Sequence, residues 1–376
     1  MRLRERERTA QSQGANGARG RVAGTVAGAL RGSRRSRMLV NVATIVVTVV
    51  FSWIALSGID FEEAWRALKG CDYWWLLPAL AVFGLGNVAR AMRWRSLFAP
   101  GRRPRPAPTL DATMIGYFYN NIMPARAGEA ARVIVLTKRT DVPPVETVGT
   151  VVVERLYDVL AILAIFFVAQ PWLPKVSWFR AAAIAAIVLA VAIAAVATVL
   201  VVYGERPLRF LLRPFGKLKL FSGERLERTV SELAHGLSGL RNKEVAGEAF
   251  LWTILAWMLT ALCSYLVSLA FHLGLPFASG VLVAVAVGLG MILPSPPAAI
   301  GVFEGAAILA LKAYGLPKST ILPYALILHA VNFVPFVLVG AFLLNYNARH
   351  PYRARAENAL VLDPSGAQTV GHADGG

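Results

Sequence analysis

The amino-acid sequence predicts an all-α protein that crosses a membrane about six times and carries two re-entrant helical hairpins. First, 56% of its 376 residues are hydrophobic, 16% are charged, and the mean hydropathy is +0.54. Because soluble domains carry about 25% charged residues, this composition indicates a membrane protein. Second, six apolar runs reach the ~20 residues that a helix needs to span a bilayer. Third, two more apolar runs are each interrupted by prolines and polar residues.

The six uninterrupted runs are predicted to be membrane-spanning helices at about 38–57, 73–92, 147–169, 178–203, 249–272 and 320–345. Lysine and arginine concentrate in the loops between these runs, which is typical of the cytoplasmic loops of membrane proteins. The formal charge of +17 is therefore explained by loop placement, and nucleic-acid binding is not expected. We expect a plasma-membrane protein with both termini in the cytoplasm.

Polar segments flank and divide the predicted transmembrane domain, which covers residues 38–345. Its two halves are predicted at about 38–169 and 178–345, with a cytoplasmic loop at 204–245. Residues 1–37 are basic and rich in Gly, Ala and Ser, and residues 346–376 are polar. Both end segments are predicted to be disordered cytoplasmic tails.

The two interrupted runs lie at 110–136 and 279–314. The first contains Pro124 and Gly128, and the second contains Pro294, Pro296, Pro297 and Gly301. Proline removes a backbone donor and ends a helix. In lipid the freed backbone groups must be satisfied by protein or water, so such breaks tend to line cavities. Because the first run has basic flanks on both sides, both runs are predicted to be re-entrant. The alternative is that both span fully, which gives eight spans.

The spacing of these features predicts an internal repeat. Glu129 and Glu304 follow the two breaks at equivalent places, and a long apolar run precedes and follows each of them. Each half then contains two helices, a re-entrant hairpin and a further helix, inserted with opposite orientation. Inverted repeats of this kind are common in transporters that work by alternating access. Two unrelated proline-kinked helices would be the alternative.

Ionisable residues inside the predicted spans mark the candidate site. The 147–169 helix carries Glu154, Arg155 and Asp158, of which the two acids share a helix face. A lone charge at mid-bilayer costs at least ~2.5 kcal/mol, so such residues usually face a protein interior or a wet cavity. Two acids and one arginine leave room for Arg126 or Arg132 from the adjacent hairpin. The group either contacts substrate or is a structural ion-pair network.

The first break is the candidate phosphate site. A half-helix that begins after Pro124 would point free N–H groups and its positive end at the cavity. Asn121, Glu129 and the two arginines Arg126 and Arg132 would line it, with arginine binding phosphate. Alternatively, these arginines extend to the cytoplasmic interface.

Two further groups have alternative interpretations. Glu304 follows the second break without an arginine, and it either takes up a proton, meets a cationic headgroup or caps backbone amides. Arg90, Arg93, Trp94 and Arg95 close the 73–92 helix and are predicted to form an interfacial anchor.

Together these residues resemble the transmembrane region of lysylphosphatidylglycerol synthases and their standalone flippase-like relatives, over about residues 38–345. The resemblance is carried by Arg90-x-x-Arg93-Trp94, Asn121-x-Met123-Pro124-x-Arg126-x-Gly128-Glu129-x-x-Arg132, Glu154-Arg155-x-x-Asp158 and the Pro294 to Glu304 element. In that element Ser-Pro-Pro-Ala-Ala-Ile-Gly replaces most of the glycines typical of the family. The resemblance implies that the membrane region translocates a lipid that a separate soluble domain aminoacylates. About 30 polar residues follow the last predicted helix, so aminoacyl transfer is not expected here.

The sequence therefore predicts a translocase that moves a phospholipid, aminoacylated phospholipid or polyprenyl-linked lipid across the plasma membrane. One alternative is an intramembrane enzyme that modifies a lipid headgroup, with Glu129 or Glu304 as general base. Another is a non-transporting membrane partner of a separate lipid synthase. No catalytic residue, cofactor or metal ligand is predicted, since the two cysteines and five histidines lack metal-ligand spacing and no phosphate-binding loop occurs.

Overall fold

A computed structural model describes residues 61–123, 127–140, 142–174, 242–291 and 297–349, together with a few positions between 184 and 195. Within these ranges the chain is helical and contains no strand. The predicted spans 38–57 and 178–203, the tail 1–37 and nearly all of the loop 204–245 and the tail 346–376 lie outside the described residues.

Nine α-helices follow one another in the described ranges. They are α1 (Phe61–Lys69), α2 (Leu76–Ser96), α3 (Pro106–Ile122), α4 (Ala127–Arg139), α5 (Pro144–Ala169), α6 (Lys243–Ala270), α7 (Phe277–Gly290), α8 (Val302–Lys312) and α9 (Lys318–Arg349). By length and composition, the segments Tyr73–Ser96, Lys243–Ala270 and Lys318–Asn347 can cross a membrane. These segments confirm the all-helical membrane prediction. α5 has 26 residues, but four charged residues, Glu146, Glu154, Arg155 and Asp158, interrupt its apolar character.

The first interrupted run is a helical hairpin made of α3 and α4. Gly116 on α3 faces Gly128 and Arg132 on α4, so the chain folds back on itself. A Cβ at Gly128 would overlap the Gly116 carbonyl oxygen and lie 2.5 Å from Asn120 Oδ1. Glycine is therefore required for this close approach between α3, which ends at Ile122, and α4, which begins at Ala127. Pro124 and Arg126 lie outside the described residues.

The second interrupted run is a hairpin made of α7 and α8. A Cβ at Gly290, at the end of α7, would lie 3.5 Å from Val302 and 3.5 Å from Ala306 on α8. The turn before α8 contains the 3₁₀ segment Pro297–Ala299, and Gly301 begins α8 with φ of 83°. Pro294 and Pro296 lie outside the described residues. The 297–299 turn packs against α3, so the two hairpins meet.

α2 and α6 form the most extensive helix pair. They run antiparallel, because the Asp72 amide before α2 donates to the Ala270 carbonyl at the end of α6, at 2.8 Å. Small residues bring the other helices close. A Cβ on Gly280 of α7 would lie 2.5 Å from the Ala261 carbonyl oxygen of α6, and Gly340 of α9 packs directly on α3. Such small-residue contacts are typical of helix packing in membranes, where dispersion replaces hydrophobic driving force.

Candidate functional site

A cavity of about 450 Å³ lies between the two hairpins and the helices α2, α5, α6 and α9. One part of its wall is apolar and aromatic, and includes Phe83, Ile162 and Phe336. The other part is charged and amide-rich. A cavity with this division fits an amphipathic ligand with a polar group at one end.

Arg93 on α2 is the centre of a buried ion-pair network. It is 1% exposed, and it binds Glu154 Oε1 on α5 at 2.5 Å and also the carboxylate of Asp158. The predicted interfacial anchor is therefore wrong for Arg93 and Trp94. Trp94 is fully buried and its Nε1 donates to Thr150 Oγ1 at 3.1 Å.

Arg132 on α4 completes the coordination of Glu154. Its Nη1 lies 2.8 Å from Glu154 Oε2, and its Nη2 lies 2.6 Å from Glu129 Oε2. Its guanidinium also lies 4.8 Å from the centre of the Trp94 ring, a favourable cation–π position. Arg132 is buried, so it does not extend to the interface. The first hairpin therefore supplies, in Arg132, an arginine that helps to balance the two acids of α5.

Arg155 joins this network from the cavity side. Its Nη2 lies 3.0 Å from Glu129 Oε1, and its Nη1 lies 3.4 Å from Asp158 Oδ2. The side chain is 43% exposed. Asp158 also accepts a hydrogen bond from Trp257 Nε1 of α6 at 3.1 Å. Arg155 and Asp158 are thus the network members that a ligand in the cavity would meet.

Counting charges within the described residues, three arginines face three acids in this network: Arg93, Arg132 and Arg155 against Glu129, Glu154 and Asp158. Arg90 adds a fourth cation to the cavity wall. Its Nη2 donates to Thr260 Oγ1 at 2.6 Å, and its guanidinium lies 6.0 Å from the centre of the Trp257 ring. Among the ion pairs of the described residues, Arg90 has no carboxylate partner. Among the described residues, the network and Arg90 together therefore hold four arginines against three carboxylates.

Four asparagines line the cavity and supply neutral polar groups: Asn87, Asn120, Asn121 and Asn332. Asn120 Oδ1 accepts from the Gly128 amide at 2.9 Å and ties the first hairpin together. Asn87 is buried and donates to the Phe83 carbonyl at 2.8 Å, while its Oδ1 has no partner within the described part of the chain. The same holds for the Nδ2 of Asn121. Asn87 and Asn121 can therefore bind a ligand.

Glu304 is buried at the start of α8. Its Oε2 accepts from the Gly301 amide at 2.7 Å, and its Oε1 lies 2.5 Å from Nδ1 of His329 on α9. It caps the helix, which is one of the predicted roles. His329 also stacks on Phe303, with ring centres 4.6 Å apart.

The sequence-predicted site residues divide into two groups. Asn121, Glu129, Arg155 and Asp158 line the cavity, whereas Arg132, Glu154 and Glu304 lie behind its wall. Arg126 is outside the described residues. Arg90, Trp257, Thr260 and His329 also line the cavity, and none of these four was a predicted site residue. Arg90 is three residues from both Asn87 and Arg93 in the sequence, and this helical spacing places the three polar side chains on one face of α2. In the described ranges no group of His, Cys, Asp and Glu residues could hold a metal ion.

Comparison with known proteins now adds to this geometry. The family described as lysylphosphatidylglycerol synthase TM region matches residues 41–340. The chain belongs to this family. A UPF0104 membrane protein of Methanocaldococcus jannaschii is 25% identical over 231 residues, which are 60% of this chain and 92% of that relative. Glycosyltransferase AglD of Haloferax volcanii is 27% identical over 128 residues, which are 34% of this chain and 20% of that protein. The lysylphosphatidylglycerol synthase TM region thus includes the described hairpins and the whole ion-pair network.

Proposed function

We propose that this protein is a lipid translocase whose cavity binds a headgroup while the lipid tails stay in the bilayer. The observation that carries the proposal is a charged cavity inside an apolar helical bundle, in which Arg90 takes part in none of the ion pairs of the described residues. Charges inside membranes are costly and usually belong to a substrate or ion path.

The helix lengths support two re-entrant hairpins. At 1.5 Å per residue, α3 is about 25 Å long and α4, α7 and α8 are shorter. Each is shorter than the ~30 Å hydrocarbon core. A hairpin of two such helices reaches into the bilayer and returns to the same side.

The antiparallel pairing of α2 and α6 supports an inverted repeat, because these helices occupy equivalent places in the two predicted halves. In this arrangement one hairpin enters from each side and the cavity lies between their tips. If the predictions for 38–57 and 178–203, which lie outside the described residues, hold, the proposed arrangement has six spans in the plasma membrane and both termini in the cytoplasm.

The charge balance favours a monoanionic headgroup, such as one phosphodiester, over a diphosphate. Arg90 would bind the phosphate, and the exposed side of Arg155 would share it. Asn121 and Asn87 would bind headgroup hydroxyl or amine groups. Arg132 and Glu154 would hold Arg93 and Glu129 in place behind the wall.

The names of the relatives favour a second candidate function. The family description names a lipid synthase, and one relative is named a glycosyltransferase that shares only a fifth of its length with this chain. The second candidate is a membrane partner of a lipid-modifying enzyme, which would hold its lipid without moving it.

The test is lipid movement in liposomes that contain the purified full-length protein and head-labelled anionic, aminoacylated or polyprenyl phosphate lipids. A charged hydrogen bond contributes about 1.5–3 kcal/mol, so Arg90→Gln is expected to slow movement by about tenfold or more. Arg66→Gln on α1 is the matched control, since Arg66 is exposed and pairs with Glu62 at 3.5 Å.

Protein-dependent movement that Arg90→Gln slows and Arg66→Gln leaves unchanged is the expected result. Binding of labelled lipid without movement, for every lipid class, would overturn translocation and favour the partner function.

A further inference from the structure

A histidine–glutamate pair lies on the second hairpin side of the cavity, away from the arginine network. His329 Nδ1 lies 2.5 Å from Glu304 Oε1, and His329 Nε2 lies 2.9 Å from the Ala298 carbonyl oxygen. A carbonyl and a carboxylate are acceptors, whereas a neutral imidazole has one N–H. Both contacts are hydrogen bonds only when the pair holds one extra proton. That proton lies either on an imidazolium or on the Glu304 carboxyl.

The same two side chains hold both ends of an unusual turn. Ala298 and Ala299 have φ of 59° and 55°, and Gly301 has φ of 83°. This region of backbone space disfavours residues that carry a Cβ, and two consecutive alanines persist there only when surrounding contacts hold them. His329 holds the Ala298 carbonyl, and Glu304 holds the Gly301 amide.

We propose that His329 and Glu304 form a proton-binding site that locks this turn. We call the three groups Glu304, His329 and the Ala298 carbonyl the turn lock. When the proton leaves to water in the cavity, one ring nitrogen presents a lone pair to an oxygen, and that contact is lost. The locked turn therefore binds one proton more than the released turn. By linkage, acidic pH favours the locked turn and alkaline pH favours the released one.

The charges around the turn lock come from several helices. The ionisable residues on the wall of the same cavity are Arg90 and Arg93 of α2, Tyr117 of α3, Glu129 of α4, and Arg155 and Asp158 of α5. α7 carries no ionisable residue, and residues 292–296 of the connecting segment contain none either. Among the ion pairs of the described residues, Glu304 and His329 are partners of each other.

Release of the turn lock would change the cavity directly. Ala298 and Ala299 line the cavity, and their turn packs against α3 of the first hairpin. Freeing the turn separates the two hairpin tips, so headgroup access becomes proton-dependent. This coupling to lipid movement rests on the proposed function, whereas the lock itself does not.

The test is a spin label on Ile300→Cys in the full-length protein. Ile300 is 50% exposed and precedes Gly301 in the turn. The native Cys71 and Cys263 are both buried. Burial raises the pKa of the Cys71 thiol and the neighbouring Asp72 raises it further, so Cys71 reacts slowly. The label is attached at one pH, and its mobility is then recorded from about pH 5 to about pH 8, the range in which histidine charge changes.

Two substitutions give opposite expectations. In the Glu304→Gln variant, the glutamine side-chain amide donates to Nδ1 of a neutral His329. The Nε2–H of His329 still donates to the Ala298 carbonyl oxygen. The turn therefore stays locked without the extra proton. The label is then expected to stay immobile at every pH. In His329→Ala it is expected to be mobile at every pH. His272→Asn, in the loop after α6, is the control for general histidine titration and is expected to retain the wild-type pH response.

A label whose mobility does not change with pH in the wild-type background would overturn the proposal. A Glu304→Gln protein that titrates like the wild type would also overturn it. The liposome assay is run separately on the same proteins. A titrating label with no lipid movement would refute translocation and leave the turn lock standing, whereas movement with a non-titrating label would refute the turn lock alone.

Discussion

Replacing Glu154 by glutamine tests whether the buried network holds the hairpin in place. Glu154 uses one carboxylate oxygen for Arg93 and the other for Arg132, at 2.5 Å and 2.8 Å. Glutamine keeps the size but removes the charge, so one buried positive charge is left uncompensated. Removing one partner of a buried ion pair costs about 3–5 kcal/mol. Asp158 and Glu129 still serve the two arginines, so we expect the lower end of this range.

The assay is the thermal midpoint of the full-length protein in detergent. For a chain of this length, about 3 kcal/mol corresponds to a decrease of roughly 4 °C. The matched control is Glu62→Gln, which removes a carboxylate from an exposed pair with Arg66. Exposed pairs contribute about 0–1 kcal/mol, so the control midpoint is expected to change little.

A double substitution separates charge balance from loss of a contact. Glu154→Gln combined with Arg132→Gln removes one charge of each sign from the network. We expect the double variant to be more stable than the sum of the two single changes predicts, since the sites are in contact. If Glu154→Gln lowers the midpoint no more than Glu62→Gln does, or if the two changes simply add, the reasoning is refuted.

Two further predictions concern the first hairpin and the cavity. Gly128→Ala is expected to destabilise the protein by about 1–3 kcal/mol, because the added methyl group overpacks against α3. The control is Gly84→Ala, which is expected to be neutral or slightly stabilising because Gly84 has open space around it. Equal thermal midpoints of the two variants would contradict the overpacking argument. Trp257→Phe removes the N–H that donates to Asp158. This variant is expected to slow lipid movement with little change in the thermal midpoint. Unchanged lipid movement would show that the Trp257–Asp158 hydrogen bond does not position the site.

Much of the fold could be predicted from local sequence signals. Hydropathy identified the apolar helices, and the prolines identified both breaks, because these signals act within a few residues. The grouping of Glu154, Arg155 and Asp158 was also predicted, since helical periodicity places them on neighbouring faces. The cost of an unbalanced charge in a membrane indicated a further arginine, either Arg126 or Arg132, and Arg132 lies in the network.

The rest depends on which helices are neighbours. Trp and Arg at a helix end indicate an interface when the helix is considered alone, so the sequence misplaced Arg93 and Trp94. Their burial follows from the packing of α2 against α5, whose residues are distant in the chain. The capping role of Glu304 depends on the positive φ of Gly301, and its partner His329 comes from another helix.

The ion pairs between α2 and α5 also set an order for biosynthesis. Arg93 leaves the ribosome before Glu154 and Asp158, so α2 would enter lipid alone with an uncompensated cation, at a cost of about 2.5–3.5 kcal/mol. Retaining α2 at the insertion machinery until α5 has been made avoids this cost. The segment from α2 to α5 is then released with Arg93, Glu154 and Asp158 already paired, and α6, which carries Trp257 and Thr260, docks onto an already assembled network.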